Sequence, residues 1–243
     1  MPRIDTRELG GWDQDVAGLA GALVHEIKNP LSTLNISAQL LLEEWSQPAT
    51  PREVRMVKRL EVIRSEIGRI EHITNSFLSF VRHQMTETTP VDLNSLLSDL
   101  IAHNREGLER AGIQVRCQLE EGLATVDGDE NLLRQAFLNL LRNAEQAMSG
   151  GGELIVRTRS GNGAAVEVEV IDTGPGIAEE RLAKVFRPYF SSKPGGTGLG
   201  LPTTLRLIRM HRGNLVLESE VGKGCRFLVS LPPTGARVGA PAS

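Results

Sequence analysis

The chain has 243 residues, enough for one large domain or two modest ones. With 40% apolar residues, 23% charged residues and a net charge of −3, it can pack a core, and it carries no broad electrostatic footprint for nucleic acid or an anionic membrane. Aromatic residues at 4% are too few for single-strand stacking platforms, and no apolar run reaches the ~20 residues of a membrane span. Met1-Pro2-Arg3-Ile4-Asp5 lacks the apolar region of a signal peptide. Cys117 and Cys225 show no metal-ligand spacing, so two reduced thiols in a cytoplasmic protein are expected. Glycine is in excess at 25 residues, and only five of these precede residue 90.

In chain order, residues 1–15 read as an N-terminal segment. Val16, Leu19, Leu23, Ile27, Leu34, Ala38, Leu41 and Trp45 then recur at steps of three, four or seven, which predicts a long helix. Leu60, Ile63, Ile67, Ile70, Thr74, Phe77 and Val81 predict a second. Gln47-Pro48-Ala49-Thr50-Pro51 breaks the pattern between them, so residues 16–88 form an antiparallel helical hairpin. A lone hairpin leaves apolar surface uncovered, and a four-helix bundle in a homodimer completes it.

After Thr88-Thr89-Pro90 the pattern changes. Ile113–Leu119, Leu154–Thr158, Val166–Ile171 and Cys225–Leu231 are strand candidates, and Leu93–Glu109, Glu130–Met148 and Thr203–Met210 are helical. The fold class is therefore α+β, the helical hairpin being followed by an α/β sandwich over residues 89–233 and a flexible tail over 234–243.

Three stretches carry chemistry. In the first helix, His25-Glu26-Ile27-Lys28-Asn29-Pro30-Leu31 sets an imidazole beside a carboxylate that can fix its tautomer and take its proton. Asn29 lies one turn on, and Pro30 should bend the helix. By position, His25 falls opposite the apolar stripe. The other histidines (His72, His83, His103 and His211) lack such a setting and read as ordinary. In the second half, Gln135, Asn139, Asn143 and Gln146 line one face of a helix whose other face is Leu133, Phe137, Leu140 and Ala144. That polar face is either solvated or offers neutral amides to phosphates and a hydrated metal.

Val170-Ile171-Asp172-Thr173-Gly174-Pro175-Gly176 ends an apolar strand in an Asp and a Gly-x-Gly turn, where a carboxylate can accept from an exocyclic amine. An aspartic protease needs two such carboxylates, and there is no second Asp-Thr-Gly. Lys193-Pro194-Gly195-Gly196-Thr197-Gly198-Leu199-Gly200-Leu201 places four glycines before a helix, exposing backbone N–H groups to a phosphate chain. It lacks the Gly-Lys-Ser/Thr ending of a P-loop but suits a lid that orders on nucleotide.

The heptapeptide at His25 resembles the phosphoacceptor box of the bacterial two-component histidine kinases. Asn139-Leu140-Leu141-Arg142-Asn143-Ala144 resembles the N box of the Bergerat-type ATP-binding fold and Asp172-Thr173-Gly174-Pro175-Gly176 the G1 box. Phe186-Arg187-Pro188-Tyr189-Phe190 resembles the F box, and Gly196-Thr197-Gly198-Leu199-Gly200-Leu201 the G2 box. The resemblance runs from about Val16 to Pro232 with all boxes in family order. It implies that His25 takes the γ-phosphoryl group of ATP, Glu26 assists as base, and Asn29 positions a water for dephosphorylating the partner. It further implies that Asp172 binds the adenine amino group and Asn143 holds Mg²⁺. Lys193, Gly196, Thr197, Gly198, Leu199 and Gly200 would close over the phosphates, with Asn139, Gly174 and Gly176 lining the site.

The implied function is an ATP-dependent protein-histidine kinase that passes its phosphoryl group to the receiver domain of a response regulator, with input supplied either by a separate sensory partner or by the rest of a longer protein of which the chain is a fragment. Two alternatives stand beside it: a phosphatase-dominant regulator relying on Asn29, and a nucleotide-gated interaction protein without phosphotransfer. Charge balance disfavours a DNA-processing ATPase of the same fold. Two departures from the family pattern are Cys225, where many relatives carry Thr, and Pro202 after the G2 box, which the first turn of a helix tolerates.

Overall fold

The computed structural model describes residues 1–8, 17–46, 50–82, 88–161, 165–191 and 198–236, without the side chains of residues 8, 17–29, 69, 71–73 and 75–82. These residues form two compact units, a helical hairpin and a sheet unit that takes in chain from both before and after the hairpin.

The hairpin consists of α1 (Ala17–Glu44) and α2 (Pro51–Arg82). Thr50 caps α2 reciprocally: Glu53 N donates to Thr50 Oγ1 at 3.3 Å and Thr50 N to Glu53 Oε2 at 3.1 Å, and Pro51 occupies the first helical position. The described seam is Leu31, Ala38 and Ile67, with Thr74 also buried and its hydroxyl turned back onto Ile70 O at 2.7 Å. The sequence pattern set Leu34 and Leu41 on the stripe with Ala38, yet Leu34 is 54% and Leu41 43% exposed, as are Ile63 (51%) and Ile70 (42%). A stripe wider than one helix-to-helix contact is only partly covered by one neighbour, and the remainder lies open.

The sheet unit is built on six strands. Their spatial order is β1 (Arg3–Asp5), β7 (Asn214–Glu220), β8 (Gly224–Leu231), β6 (Val166–Asp172), β5 (Gly152–Ser160) and β3 (Ile113–Leu119). β3 and β5 run parallel and every other pair antiparallel. A separate ribbon pairs β2 (Thr89–Val91) with β4 (Val126–Gly128). The core lies between the sheet and the helices α3 (Leu93–Arg110), α4 (Glu130–Ala147) and α6 (Gly200–Met210), with short α5 (Glu179–Leu182) beside it.

Alternation explains the single covered face. Val166, Val168 and Val170 on β6 and Phe227, Val229 and Leu231 on β8 are buried in the core. The opposite face carries charge from β5, β6, β7 and β8: Arg226 bonds Glu218 at 2.7 Å, Arg159 bonds Glu167 at 2.8 Å, and Arg226 also pairs with Glu169. Glu169 is buried among Arg157, Arg159 and Arg226, which supply the compensating charge that a buried carboxylate requires.

The four strands and three helices expected beyond residue 90 are present, several of them longer than expected. Four further strands are β1, β2, β4 and β7. Three of these have three residues each, too short to show a period, and β1 lies in the stretch set apart as an N-terminal segment. α6 begins at Gly200 rather than Thr203, so Pro202 falls in its first turn, where a missing N–H has no intrahelical partner to lose. No helix among the described residues is long and apolar enough to cross a membrane.

Candidate functional site

α4 is positioned from both ends. Asp129 caps it, Oδ1 accepting from Asn131 N at 3.0 Å and Leu132 N at 3.2 Å. The Asp129 N–H donates to Nε2 of buried His211 at 3.0 Å, and His211 Nδ1 lies 2.7 Å from Leu207 O. That pair of partners assigns the proton to Nδ1 and makes His211 a bolt between the end of α6 and the start of α4. Farther along, Asn139 Nδ2 donates to Gly200 O at 3.4 Å and Thr204 Oγ1 lies 3.4 Å from Ala136 O. A Cβ at Gly200 would stand 3.8 Å from Asn143 Nδ2 and 4.0 Å from its Oδ1. The amide face of α4 therefore meets the start of α6, where the glycine-rich loop ends.

Asp172 closes β6 and is buried. Its Oδ1 accepts from Gly174 N at 2.9 Å and Cys225 N at 3.3 Å, which fixes the carboxylate at the mouth of the turn. Glycine is required around it. Gly176 has φ 72° and a Cβ there would lie 2.1 Å from Glu220 O; Gly224 has φ 82° and a Cβ there would lie 1.9 Å from Asp172 O. A Cβ at Gly174 would meet Asp172 Oδ1 at 2.8 Å. Pro175 O accepts from Gly222 N at 2.7 Å, so the turn is tied to the β7–β8 connection.

Sequence reasoning missed Ser219. Its hydroxyl accepts from Ile177 N at 2.9 Å and donates to Gly224 O at 2.7 Å, with Cys225 Sγ 3.3 Å away. A hydroxyl from β7 thus stands beside Cys225. No local sequence signal marks it, since its partner Ile177 lies forty-two residues away. The last described feature is the lid's footing: Tyr189 (φ 63°) donates its N–H to Gly198 O at 3.1 Å, and Gly198 has φ 66°. A Cβ at Gly198 would lie 2.6 Å from Tyr189 C.

The structure thus brings Asn139 and Asn143 to Gly200, sets Gly174 against Asp172 and seats Gly176 against Glu220. Lys193, Gly196 and Thr197 lie outside the described residues. His25, Glu26 and Asn29 sit on α1, and their side chains lie outside the description.

Residues 16–86 match the family model "His Kinase A (phospho-acceptor) domain" and residues 128–235 the model "Histidine kinase-, DNA gyrase B-, and HSP90-like ATPase". The chain belongs to the sensor histidine kinases of two-component systems. It is 33% identical over 227 residues to sporulation kinase C of Bacillus subtilis, covering 88% of this chain and 48% of that protein. It is 33% identical over 214 residues to the sensor histidine kinase ZraS of Escherichia coli, covering 88% and 45%. The chain spans about half the length of these curated relatives. Among solved structures, full-length ShkA in complex with AMPPNP aligns with TM-score 0.74 at 27% identity, over 93% of this chain and 47% of that one. The histidine kinase ThkA in complex with the response regulator protein TrrA shares the fold, with TM-score 0.65 at 24% identity over 90% and 63%.

Proposed function

We propose that the chain is an ATP-dependent protein-histidine kinase, autophosphorylating on His25 and passing the phosphoryl group to an aspartate of a response regulator's receiver domain. The observation that carries the reading is one setting assembled from distant boxes. A buried, doubly anchored Asp172 ringed by obligatory glycines lies in the same unit as Asn139 and Asn143, which face the foot of the G2 loop. The same chain carries the phosphoacceptor box on α1.

In this reading Asp172 accepts the adenine amino group, and Gly174 and Gly176 let the ring approach the backbone. Lys193, Gly196, Thr197, Gly198, Leu199 and Gly200 close over the phosphates. The neutral Asn143 amide suits a Mg²⁺ ion that arrives on the triphosphate and keeps most of its water, and the ion's chemistry is neutralisation of phosphate charge. Asn139 holds the lid's foot. On α1, Glu26 takes the proton from His25 as it attacks the γ-phosphorus and ADP leaves, and Asn29 orients a water that hydrolyses the phosphoaspartate of the partner regulator. Positioning and charge neutralisation, rather than covalent help from the protein, supply the rate.

The domains follow: residues 16–88 for dimerisation and phosphotransfer, and residues 89–233 for ATP binding. Exposed Leu34, Leu41, Ile63 and Ile70 support a homodimer in which two hairpins form a four-helix bundle. A sensory partner and a cytoplasmic location complete the proposal. The test is γ-labelled ATP with the wild-type chain and His25→Gln. Acid-labile, base-stable label on the wild type alone is expected, and equal label on both proteins refutes the assignment.

A further inference from the structure

Strand β1 lies ahead of both family matches, which begin at residues 16 and 128, yet it is part of the sheet unit. It covers the outer edge of β7 in antiparallel register, with Arg3 opposite Glu218, Ile4 opposite Leu217 and Asp5 opposite Val216. Ser219 N donates to Pro2 O at 3.1 Å. Beyond the strand, Thr6 is fully buried and its hydroxyl donates to Leu215 O at 2.8 Å, while its carbonyl accepts from the guanidinium of Arg209 on α6. Ile4 packs against the core. Asp5 accepts from Arg7 N at 3.0 Å and Arg7 Nε at 3.1 Å, which turns the chain off the sheet.

We propose that the edge of β7 is a strand-addition site whose occupant is residues 2–7 of the same chain, held as a reversible clip. Main-chain bonds supply the affinity, and the buried slot for Thr6 together with the apolar seat of Ile4 supplies the register. Reversibility follows from size. The pairing is three residues long, at the sheet's rim, anchored by one buried Thr and one partly buried Ile, and such edges open at far lower cost than the core. The occupant is a piece of this chain because it is seated there and is joined to α1 through residues 9–16. Its contact on α6 is with Arg209, in the helix that begins at the foot of the nucleotide lid.

The consequence is one of connectivity. With the clip docked, covalent chain joins the nucleotide unit to the hairpin twice, through residues 9–16 into α1 and through residues 83–88 out of α2. With the clip released it is joined once. Docking shortens the reach of the nucleotide unit, and anything acting on the chain before α1 is felt at β7 and α6. This regulatory consequence rests on the kinase reading; the docking itself does not.

The test locks the clip. Because Pro2 and Ser219 are hydrogen-bonded partners, Arg3 and Glu218 form the intervening non-hydrogen-bonded pair, whose Cα atoms lie about 4.5 Å apart, inside the range a disulfide spans. Arg3→Cys/Glu218→Cys in the full chain, with exposed Cys117 changed to Ser, is oxidised with diamide. We expect an intrachain disulfide and ATP affinity within twofold of the reduced protein. Autophosphorylation should fall at least tenfold and recover with dithiothreitol. A synthetic peptide of residues 1–8 should bind saturably to the chain lacking those residues and slow amide exchange at Ser219. An interchain disulfide, equal rates when locked and free, or no peptide binding overturns the proposal. If the unmodified chain forms no phosphohistidine, the kinase reading falls, while the disulfide pattern and amide exchange still judge the docking.

Discussion

The contact between His211 and the start of α4 allows a prediction with a magnitude. His211→Ala leaves the buried Asp129 N–H without its acceptor, a cost of about 1–3 kcal/mol, and removes a packed ring besides. Together these predict roughly 3 kcal/mol. For a unit of this size, where 1 kcal/mol moves the midpoint ~2–4 °C, the calorimetric transition should fall by about 6–12 °C. Nucleotide affinity should change less than threefold, because Asn143 lies fourteen residues along α4, about 21 Å from the cap.

Gly128 supplies the control. A Cβ there would stand 2.4 Å from His211 Cδ2 and 2.9 Å from Nε2, so Gly128→Ala in the wild type displaces the ring at a cost of about 1–3 kcal/mol. In the His211→Ala background the same methyl enters the vacated space, its nearest remaining neighbour being Leu133 Cδ1 at 3.0 Å, and should cost less than about 1 kcal/mol. Chemical denaturation of the four proteins of this cycle measures the coupling. Additive costs, or a His211→Ala protein melting within about 2 °C of wild type rather than ~6–12 °C below it, would refute the bolt.

Asp172→Asn keeps an acceptor for Gly174 N and Cys225 N but removes the charge, so the unit should fold while ATP affinity drops at least ~10-fold by calorimetry, about 1.4 kcal/mol. Unchanged affinity would remove Asp172 from the adenine site. Leu34→Glu with Ile63→Glu places charge on the open hairpin face and should shift sedimentation from dimer to monomer without loss of helix content; a persistent dimer argues for another interface. Arg7 beside Asp5 holds its carboxyl well below the usual carboxylate range. A depressed carboxyl stabilises the docked clip fully above its unfolded value near 4, and this is lost as pH falls toward the folded one. Amide protection at Ser219 should therefore weaken from about pH 4 downward in the wild type and stay flat in Asp5→Asn. Equal slopes in both would show that the Asp5–Arg7 pair does not couple to docking.

Legibility in the sequence followed length and local pattern. α3, α4, β3 and β6 were readable because their apolar residues repeat over seven or more positions. β2 and β4 were not, since three residues show no period and their pairing joins Thr89 to Gly128 across a helix and a strand. The site's motif residues, Asp172 and the glycines, were legible because each answers a backbone demand visible locally: a strand end, a positive φ, a close approach. Ser219 and His211 were illegible for the converse reason. Their partners lie forty-two and eighty-two residues away, and only the tertiary fold turns an ordinary serine into the tie between Ile177 and Gly224. Leu31 shows the limit within helices: periodicity finds the apolar stripe, but the row that becomes the seam depends on the neighbour.

The glycine excess beyond residue 90 has a mechanical sense in this light. Gly174, Gly176 and Gly224 admit backbone to within contact of Asp172 and Glu220, and Gly128 admits the His211 ring against the cap of α4. The first set makes room for the turn after β6 to lie against the β7–β8 connection, the last for two helices to be pinned. α4 and α6 are held at one end by His211 and at the other by Asn139 and Thr204, so the amide face cannot slide along the foot of the lid without breaking buried bonds. Gly198 O in turn accepts from Tyr189 N, so the chain on either side of residues 192–197 is tied together just before α6 begins.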